Sequence, residues 1–232
     1  MSLAALREGA RSFGLELSEE QLQQFERCSE LLLDWNQRVN LTAIRDQAGV
    51  ERLHFLDSLA CLLAGIGDRA KVLDVGAGGG FPGLPVKIAR ADIELTLLEA
   101  TAKKTAFLMA VVDDLRLGRT HVVTGRAEDF GEREFFDTVV ARALAPMPAL
   151  LELTLPFARI GGQVLALKKG TGLAGELAAS RHALEVLGGE LAPALSYQVG
   201  DGEERKVVVV RKVRPTPRGY PRRSGLPAKR PL

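Results

Sequence analysis

From Lys71 onward, short apolar runs of strand length alternate with stretches of helical periodicity. The apolar runs read KVLDVG, IELTLLEA, HVVTG, FDTVVARA and GQVLALKK, and helix-like segments separate them. Strands that alternate with helices favour right-handed crossovers and a mainly parallel sheet that is covered on both faces. The alternation therefore predicts a doubly wound α/β domain.

The last two apolar runs depart from this pattern. ALSYQVG and RKVVVVRKV are separated only by the turn-rich DGEE, which predicts an antiparallel hairpin. We therefore expect a seven-stranded, mostly parallel sheet with an antiparallel last strand. That arrangement is typical of Rossmann-like class I methyltransferases more than of dinucleotide dehydrogenases.

Helices are predicted before the first strand. Ser18 and Gln21 form a capping-box pattern that opens a helix over Glu19 to Arg38, where apolar residues recur at helical spacing. Further helices fit residues 2–13 and 50–63. The predicted units are an N-terminal helical segment (residues 1–70), a methyltransferase domain (71–212) and a basic, proline-rich tail (213–232).

Composition fits a globular intracellular protein. Of the 232 residues, 46% are apolar and 26% are charged. Charges interrupt MSLAALREGARSF where a signal peptide would be apolar, and no run reaches membrane-spanning length, so we expect a cytoplasmic protein without a membrane segment. Cys28 and Cys61 lack metal-ligand spacing, which predicts buried reduced thiols and no metal site. We also expect a monomer.

The tail has an unusual charge. It holds six of the 31 basic residues and none of the 29 acidic ones. Its five prolines argue against a helix, and such a segment either lies along a polyanion such as RNA or is a solvated extension. Its candidate RNA contacts are Arg222, Arg223, Lys229 and Arg230.

Five glycines lie between Gly76 and Gly83, directly after the first predicted strand, where sheets of this type bind ligands. Gly78, Gly80 and Gly83 fit the G-x-G-x-x-G pattern of dinucleotide sites, whereas Gly76, Gly78 and Gly80 fit G-x-G-x-G. Glycine spacing alone therefore leaves NAD and S-adenosylmethionine both open.

Acidic residues near three successive strands favour the second ligand. Asp74 lies within the first strand, and a buried carboxylate there needs loop amides or a cation as partner. S-adenosylmethionine carries a sulfonium and an ammonium, whereas a pyrophosphate would be repelled. Glu99, at the end of the second strand, suits the ribose diol of either cofactor and argues mainly against NADP, and Glu128 follows the third strand where an adenine-binding turn is expected. Asp74 can also serve only to hold the loop together.

The methyl acceptor is constrained by missing motifs. VVARALAP occupies the place where amino-group methyltransferases carry an Asp-Pro-Pro-Tyr-like turn, and neither cysteine lies in a Pro-Cys turn. An acceptor that is already nucleophilic remains, such as N7 of guanine, for which alignment without a general base suffices. Arg142 and Lys168 are the candidate catalytic residues at the crevice rim, although Arg142 can also be an ordinary surface residue. His54 is expected to be a structural partner of Asp57.

Two other functions stay open at this point. An NAD-dependent oxidoreductase fits the glycines, but the tyrosines, Tyr197 and Tyr220, are poorly placed for a hydride-transfer pair. An RNA-binding assembly factor with a vestigial cofactor fold is the non-catalytic alternative.

Several segments together resemble the glucose-inhibited division protein B family, bacterial methyltransferases of N7 of a guanine in 16S rRNA of the small ribosomal subunit. VNLTAIRD, HFLDSL, LDVGAGGGFPGLPVKI, LLEATAKKTAFL, GRAEDF, ARALAP and YPRRSGLPAKRPL carry the resemblance, which runs from about Leu31 to Leu232. The resemblance implies that Asn40 and residues 54–58 border an RNA pocket. Our candidate S-adenosylmethionine contacts, from the residues and from this resemblance, are Asp74, Gly76, Gly78, Phe81, Glu99, Ala100, Thr101, Ala127, Glu128 and Arg142.

Overall fold

The computed structural model describes residues 3–199 and 202–232, and within them the strands form one eight-stranded sheet. The strand order is β3-β2-β1-β4-β5-β8-β6, and β7 also pairs with β8. The strands are β1 (Lys71–Val75), β2 (Glu94–Glu99), β3 (Thr120–Thr124), β4 (Phe136–Arg142), β5 (Ala158–Lys169), β6 (Gly189–Leu191), β7 (Leu195–Gln198) and β8 (Glu204–Lys212).

The predicted Rossmann-like arrangement is confirmed. Strands β1 to β5 are mutually parallel, and β8 runs antiparallel to β5, β6 and β7. Gly189 of β6 lies opposite Lys212, and Leu195 of β7 lies opposite Val207, so these two short strands pair with successive parts of β8. Strand β7 lies within the predicted sixth strand, ALSYQVG, whereas β6 was not predicted, so the sheet has eight strands where seven were expected. Gly200 and Asp201, where the predicted hairpin turn begins, lie outside the described residues.

Helices cover both faces of this sheet. The region predicted as one helix over residues 50–63 is helical throughout, but its geometry changes from α to π over Glu51–Leu56 and to 3₁₀ over Ala60–Ala64. The α-helices are α1 (Ala4–Ser12), α2 (Glu19–Asn36), α3 (Gln47–Val50), α4 (Asp57–Leu59), α5 (Gly83–Ala89), α6 (Ala102–Asp114), α7 (Met147–Thr154), α8 (Leu173–Ala179), α9 (Arg181–Leu187) and α10 (Leu226–Lys229).

Helix α10 corrects the expectation that the tail forms no helix. Its proline, Pro227, lies in the first turn, where a helix needs no N–H donor, so it does not oppose this short helix.

Two hydrophobic cores lie on opposite faces of the sheet. Consecutive β1 residues Val72 and Leu73 belong to different cores, because successive side chains of a strand point to opposite faces. Cys28 and Cys61 are buried free thiols in the first core, as predicted. None of the helices in the described part of the chain is both long and apolar enough to cross a membrane.

The N-terminal helices pack on the face beside the glycine loop. The predicted capping box is present, since the Ser18 hydroxyl accepts from the Gln21 N–H and the Gln21 side chain accepts from the Ser18 N–H. The same Gln21 amide donates to the carbonyls of Ile88 and Ala89 at 3.0 Å, where α5 ends. One glutamine therefore caps α2 and also joins it to the helix that follows the glycine loop.

We expect Gln21→Ala to lower the free energy of unfolding by about 1 to 2 kcal/mol, because the cap and two hydrogen bonds are lost together. Urea denaturation measures the change. Gln23→Ala, at an exposed position of the same helix, is the matched control and should change stability by less than about 0.5 kcal/mol. Equal stabilities of the two variants would contradict this account of Gln21.

Candidate active site

The glycine loop turns sharply between β1 and α5. Gly76, Gly78 and Gly80 have φ of +71°, +57° and +87°, a region that favours glycine. A Cβ on Gly83 would lie 2.8 Å from Oδ2 of Asp74, the atom to which the Gly83 N–H donates. The loop therefore needs its glycines for its own conformation.

Asp74 lies fully buried beneath this loop. Its Oδ2 accepts the Gly83 N–H at 2.8 Å, whereas its Oδ1 has no hydrogen-bond partner among the described residues. Burial raises the pKa of Asp74 to about 7, although the Gly83 hydrogen bond acts in the opposite direction. Asp74 therefore does hold the loop, and one buried carboxyl oxygen remains for a further donor.

A cavity of about 300 Å³ opens at the carboxyl ends of β1 to β4. We call it the donor cavity, because several of the predicted methyl-donor contacts line it. Its walls combine apolar side chains with a few charged groups, two carboxylates and one guanidinium, as is common in small-molecule sites. The lining residues are Val75, Gly76, Leu98, Glu99, Ala100, Gly125, Arg126, Ala127, Glu128, Ala143, Leu144, Ala145, Leu153 and Ala228.

Glu99, at the end of β2, accepts hydrogen bonds from the glycine loop and from the start of α6. Its Oε2 accepts from the Gly78 N–H at 3.0 Å, and its Oε1 accepts from the Thr101 N–H at 2.8 Å, immediately before α6. Each carboxylate oxygen can accept a second hydrogen bond. Glu99 thus shapes the glycine loop and keeps acceptor capacity for a ribose diol.

Glu128 lies in the 3₁₀ turn after β3 and meets the tail. Its Oε1 accepts from the Gly225 N–H at 2.8 Å and from Arg126 at 3.3 Å. Burial would raise the pKa of Glu128, but these hydrogen bonds outweigh it and the pKa is lowered. Glu128 is therefore an ionised carboxylate that lines the donor cavity and also binds the tail.

A second cavity, of about 480 Å³, adjoins the first. We call it the acceptor cavity. Ala143 lines both cavities and has φ of +52°, unusual for a residue other than glycine. The acceptor cavity is lined by Ile44, Leu53, His54, Asp57, Arg142, Ala143, Leu167, Lys168, Lys169, Tyr197 and Arg205.

Asp57 is the centre of the polar groups in this second cavity. Its side chain is 3% exposed, and its Oδ2 accepts from Arg142 at 2.9 Å. Its Oδ1 accepts from the Tyr197 hydroxyl at 2.8 Å and from Arg205 at 3.2 Å. Two guanidinium groups share one carboxylate, so this cluster carries a net positive charge beside the cavity.

His54 lines the acceptor cavity and contacts Phe81 of the glycine loop. Its ring stacks on Phe81 with centroids 4.3 Å apart, and the Arg142 guanidinium lies 5.0 Å from the same Phe81 ring. Nδ1 of His54 lies 2.9 Å from Arg142 and 3.1 Å from the Leu53 carbonyl, and Nε2 lies 2.7 Å from Thr42 Oγ1. Because a guanidinium can only donate, a neutral ring that accepts from Arg142 carries its proton on Nε2. Burial and then the charge of Arg142 lower the pKa of His54 to about 4, so His54 is neutral at pH 7.

Six of the ten candidate S-adenosylmethionine contacts line a cavity, and the other four, which include Asp74 and Phe81, line neither. Five of them line the donor cavity, and Gly78 and Thr101 donate to Glu99 beside it. Phe81 packs against His54, and Arg142 lines the acceptor cavity instead. The five in the donor cavity are Gly76, Glu99, Ala100, Ala127 and Glu128.

The second candidate catalytic residue, Lys168, also lines the acceptor cavity. Its Nζ donates to Glu176 at 2.7 Å and to the Ala145 carbonyl at 2.9 Å, which holds it beside Ala143. The predicted contact between His54 and Asp57 is wrong, because Asp57 is occupied by Arg142, Arg205 and Tyr197.

Tyr197 and Arg205 were missed as site residues. They come from β7 and β8, late in the chain, and no local motif marks them. The pairing of Tyr197 with Arg205 across these strands places both side chains beside Asp57.

Comparisons with known proteins agree with this geometry. The family model "rRNA small subunit methyltransferase G" matches residues 21–208. The ribosomal RNA small subunit methyltransferase G of Moorella thermoacetica is 48% identical over 229 residues, covering 96% of this chain and 95% of that protein. The protein of the same name from Streptococcus gordonii is 43% identical over 225 residues, covering 94% of each.

Solved structures show the same fold at low sequence identity. A putative methyltransferase from Bacillus halodurans superposes with a TM-score of 0.54 at 15% identity, covering 68% of this chain and 99% of that one. TYW2 of M. jannaschii, solved in complex with AdoMet, gives a TM-score of 0.55 at 14% identity, covering 72% and 78%.

Fold, site and relatives define a Rossmann-like methyltransferase that uses S-adenosylmethionine. The chain belongs to the rRNA small subunit methyltransferase G family, as the segments from VNLTAIRD to the tail predict.

We expect the buried, neutral His54 to make the folded protein less stable at pH 5 than at pH 7.5. Its pKa is about 4 when folded against 6.5 as its ordinary value, so between these pH values the unfolded chain binds a proton that the folded chain does not. Lowering the pH from 7.5 to 5 should therefore reduce the free energy of unfolding by about 2 kcal/mol.

His54→Gln removes this proton binding and can still pair with Arg142 and Thr42. The free energy of unfolding of both proteins is measured by urea denaturation at pH 7.5 and pH 5. Between these pH values the wild type should lose about 2 kcal/mol more stability than the variant. A difference that does not change with pH would contradict the assignment of a neutral His54.

Proposed function

We propose that this protein transfers the methyl group of S-adenosylmethionine to N7 of a guanine in 16S rRNA of the small ribosomal subunit. The observation that carries the proposal is the pair of adjoining cavities that share Ala143. Two carboxylates and one guanidinium line the first, and two guanidinium groups, two lysines and one carboxylate line the second. The family supports rRNA as the substrate class, and the motifs that resemble N7-specific enzymes support guanine N7. We further propose that it acts in the cytoplasm as a monomer.

The donor cavity suits the charges of S-adenosylmethionine. Glu99 and Glu128 present carboxylate oxygens at its wall, and Asp74 keeps a buried oxygen without a partner among the described residues. A Cβ on Gly76 would lie 2.6 Å from Leu144, so the loop runs close to the opposite wall. We propose that Glu99 binds the ribose, Glu128 lies beside the adenine, and Asp74 with the loop amides holds the methionyl end.

The acceptor cavity suits a guanine base. Leu53, Leu167 and Ile44 provide apolar surface, and Arg142 and Lys168 provide donors, whereas guanine presents two acceptors, O6 and N7, on one edge. A donor to O6 can orient the base while N7 stays free to react. Arg142 is held by Asp57, the Leu53 carbonyl and His54, so its orientation is fixed before any substrate arrives.

The chemistry then requires little besides alignment. S-adenosylmethionine, when bound, supplies an electrophilic methyl group on a sulfonium. N7 of guanine has a lone pair and no proton to lose, so no general base is needed, and positive charge moves from sulfur to the base. The residues of this chain orient the base and exclude water. Such alignment can correspond to an effective concentration of about 10⁵ M or more.

RNA binding is proposed for the positively charged rim. Lys168 and Lys169 end β5 beside the acceptor cavity, and the exposed Arg223, Lys229 and Arg230 project from the tail. Arg222 differs from the other tail residues, because its guanidinium is paired with buried Glu152 at 2.6 Å.

The direct test is incubation with labelled S-adenosylmethionine and small ribosomal subunits that lack the modification. Label should appear in N7-methylguanine of 16S rRNA, identified by nucleoside mass spectrometry and mapped by cleavage at that base. Binding of rRNA without any transfer would favour an assembly factor, and label at another atom would refute guanine N7.

Arg142→Lys should lower methyl transfer about a hundredfold. Two guanidinium nitrogens contact Asp57, the Leu53 carbonyl and His54, and the single nitrogen of lysine cannot occupy both positions, so the base loses its alignment. The affinity for S-adenosylmethionine, measured by calorimetry, should change by less than about threefold, because Arg142 lines the acceptor cavity. Arg181→Lys, the same exchange at an exposed position, is the control. Loss of donor affinity equal to the loss of turnover would place Arg142 in the donor site instead.

A further inference from the structure

The tail is folded back on the domain. Near its start, Lys212 donates to the Leu187 carbonyl at 2.9 Å and to the Thr216 hydroxyl. Arg133, outside the tail, donates to the carbonyls of Thr216 and Pro217 at 3.2 Å and to that of Tyr220. These contacts fix the path of the tail toward helix α7.

Arg222 then binds the tail to that helix. Its Nε lies 2.8 Å from Oε1 of Glu152 and its second terminal nitrogen 2.6 Å from Oε2, a two-point pair, while its backbone N–H donates to the same carboxylate at 2.9 Å. Glu152 is fully buried. The guanidinium also donates to the Arg230 carbonyl at 2.7 Å, which closes the end of the tail on itself. A carboxylate this buried would be strongly unfavourable without Arg222.

Beyond this pair, the tail reaches the donor cavity. The Gly225 N–H donates to Glu128 at 2.8 Å, Pro227 is buried, and Ala228 forms part of the cavity wall. Glu128 is the carboxylate assigned to the adenine side of the donor. The tail therefore contacts both the cavity and the carboxylate that we propose to lie beside its ligand, although it lies beyond residue 208, where the match to the family model ends.

We infer that the tail forms the outer wall of the donor cavity, that the Arg222–Glu152 pair keeps this wall in place, and that the tail thereby controls how tightly S-adenosylmethionine is retained. The inference rests on the proposed function, because it takes the donor cavity as the S-adenosylmethionine site. Exposed basic residues of the tail stay available to RNA, whereas Arg222 serves the donor site.

Arg222→Gln tests the inference against a matched control, Arg218→Gln. Both variants remove one positive charge from the tail, but Arg218 is exposed and Arg222 is paired with Glu152. Binding of S-adenosylmethionine and of S-adenosylhomocysteine is measured by calorimetry without RNA, so catalysis does not enter. Arg222→Gln should weaken both affinities about tenfold, as expected when the closed tail is populated about a tenth of the time. Arg218→Gln should stay within about twofold of wild type.

Stability is controlled with the double variant Glu152→Gln/Arg222→Gln, which removes the pair without leaving a buried charge unpaired. It should bind the donor as weakly as Arg222→Gln does. As a second readout, S-adenosylhomocysteine should slow trypsin cleavage between Arg223 and Ser224 in the wild type and protect less in the double variant.

The outcomes separate the two levels of the proposal. A wild type that binds both molecules, while the double variant binds them equally well, overturns the role of the tail and leaves the proposed function intact. A wild type that binds neither molecule overturns the proposed function and the role of the tail with it.

Discussion

The site depends on one buried carboxylate, Asp57, between two guanidinium groups and a phenol. Asp57 belongs to the N-terminal helices, Arg142 ends β4, and Tyr197 and Arg205 come from β7 and β8. Charges this buried are unfavourable unless each has a partner, so these elements are held together as a set. The acceptor cavity exists only where they meet, and the N-terminal helices are thus part of the site as well as part of the core.

The donor cavity is organised differently. Backbone N–H groups hold the acids beside the glycine loop, since Asp74 accepts from Gly83 and Glu99 accepts from Gly78 and Thr101. Those amides belong to the glycine loop and to the residues where α5 and α6 begin. The backbone conformation of these segments therefore fixes the positions of the two carboxylates. Glu128 accepts from the Gly225 N–H and also from the Arg126 side chain. The structural role of these acids is compatible with the ligand-binding role that we propose for them, which is why the two interpretations of Asp74 do not exclude each other.

Much of the fold and of the donor cavity could be predicted because the features that define them are short sequence patterns. The alternation of apolar runs predicts the parallel strands, the capping box predicts the start of α2, and the ends of parallel strands meet at one edge, which brings Glu99 and Glu128 together. The Asp57 cluster was not predictable, because Tyr197 and Arg205 join it through strand pairing more than a hundred residues away, at separations of 140 and 148 residues. The fold-back of the tail was missed for a similar reason, since its partner Glu152 is an unremarkable residue of an apolar helix.

Asp57 assembles the acceptor cavity without serving the donor cavity, and Asp57→Asn tests this role most directly. The exchange keeps the shape of the side chain but leaves two guanidinium groups without their shared charge. Methyl transfer to small-subunit rRNA and calorimetric binding of S-adenosylmethionine are measured on the same folded preparation. We predict that transfer falls at least about a hundredfold while donor affinity stays within about threefold. Transfer at the wild-type rate, or a parallel loss of donor affinity, would contradict the account.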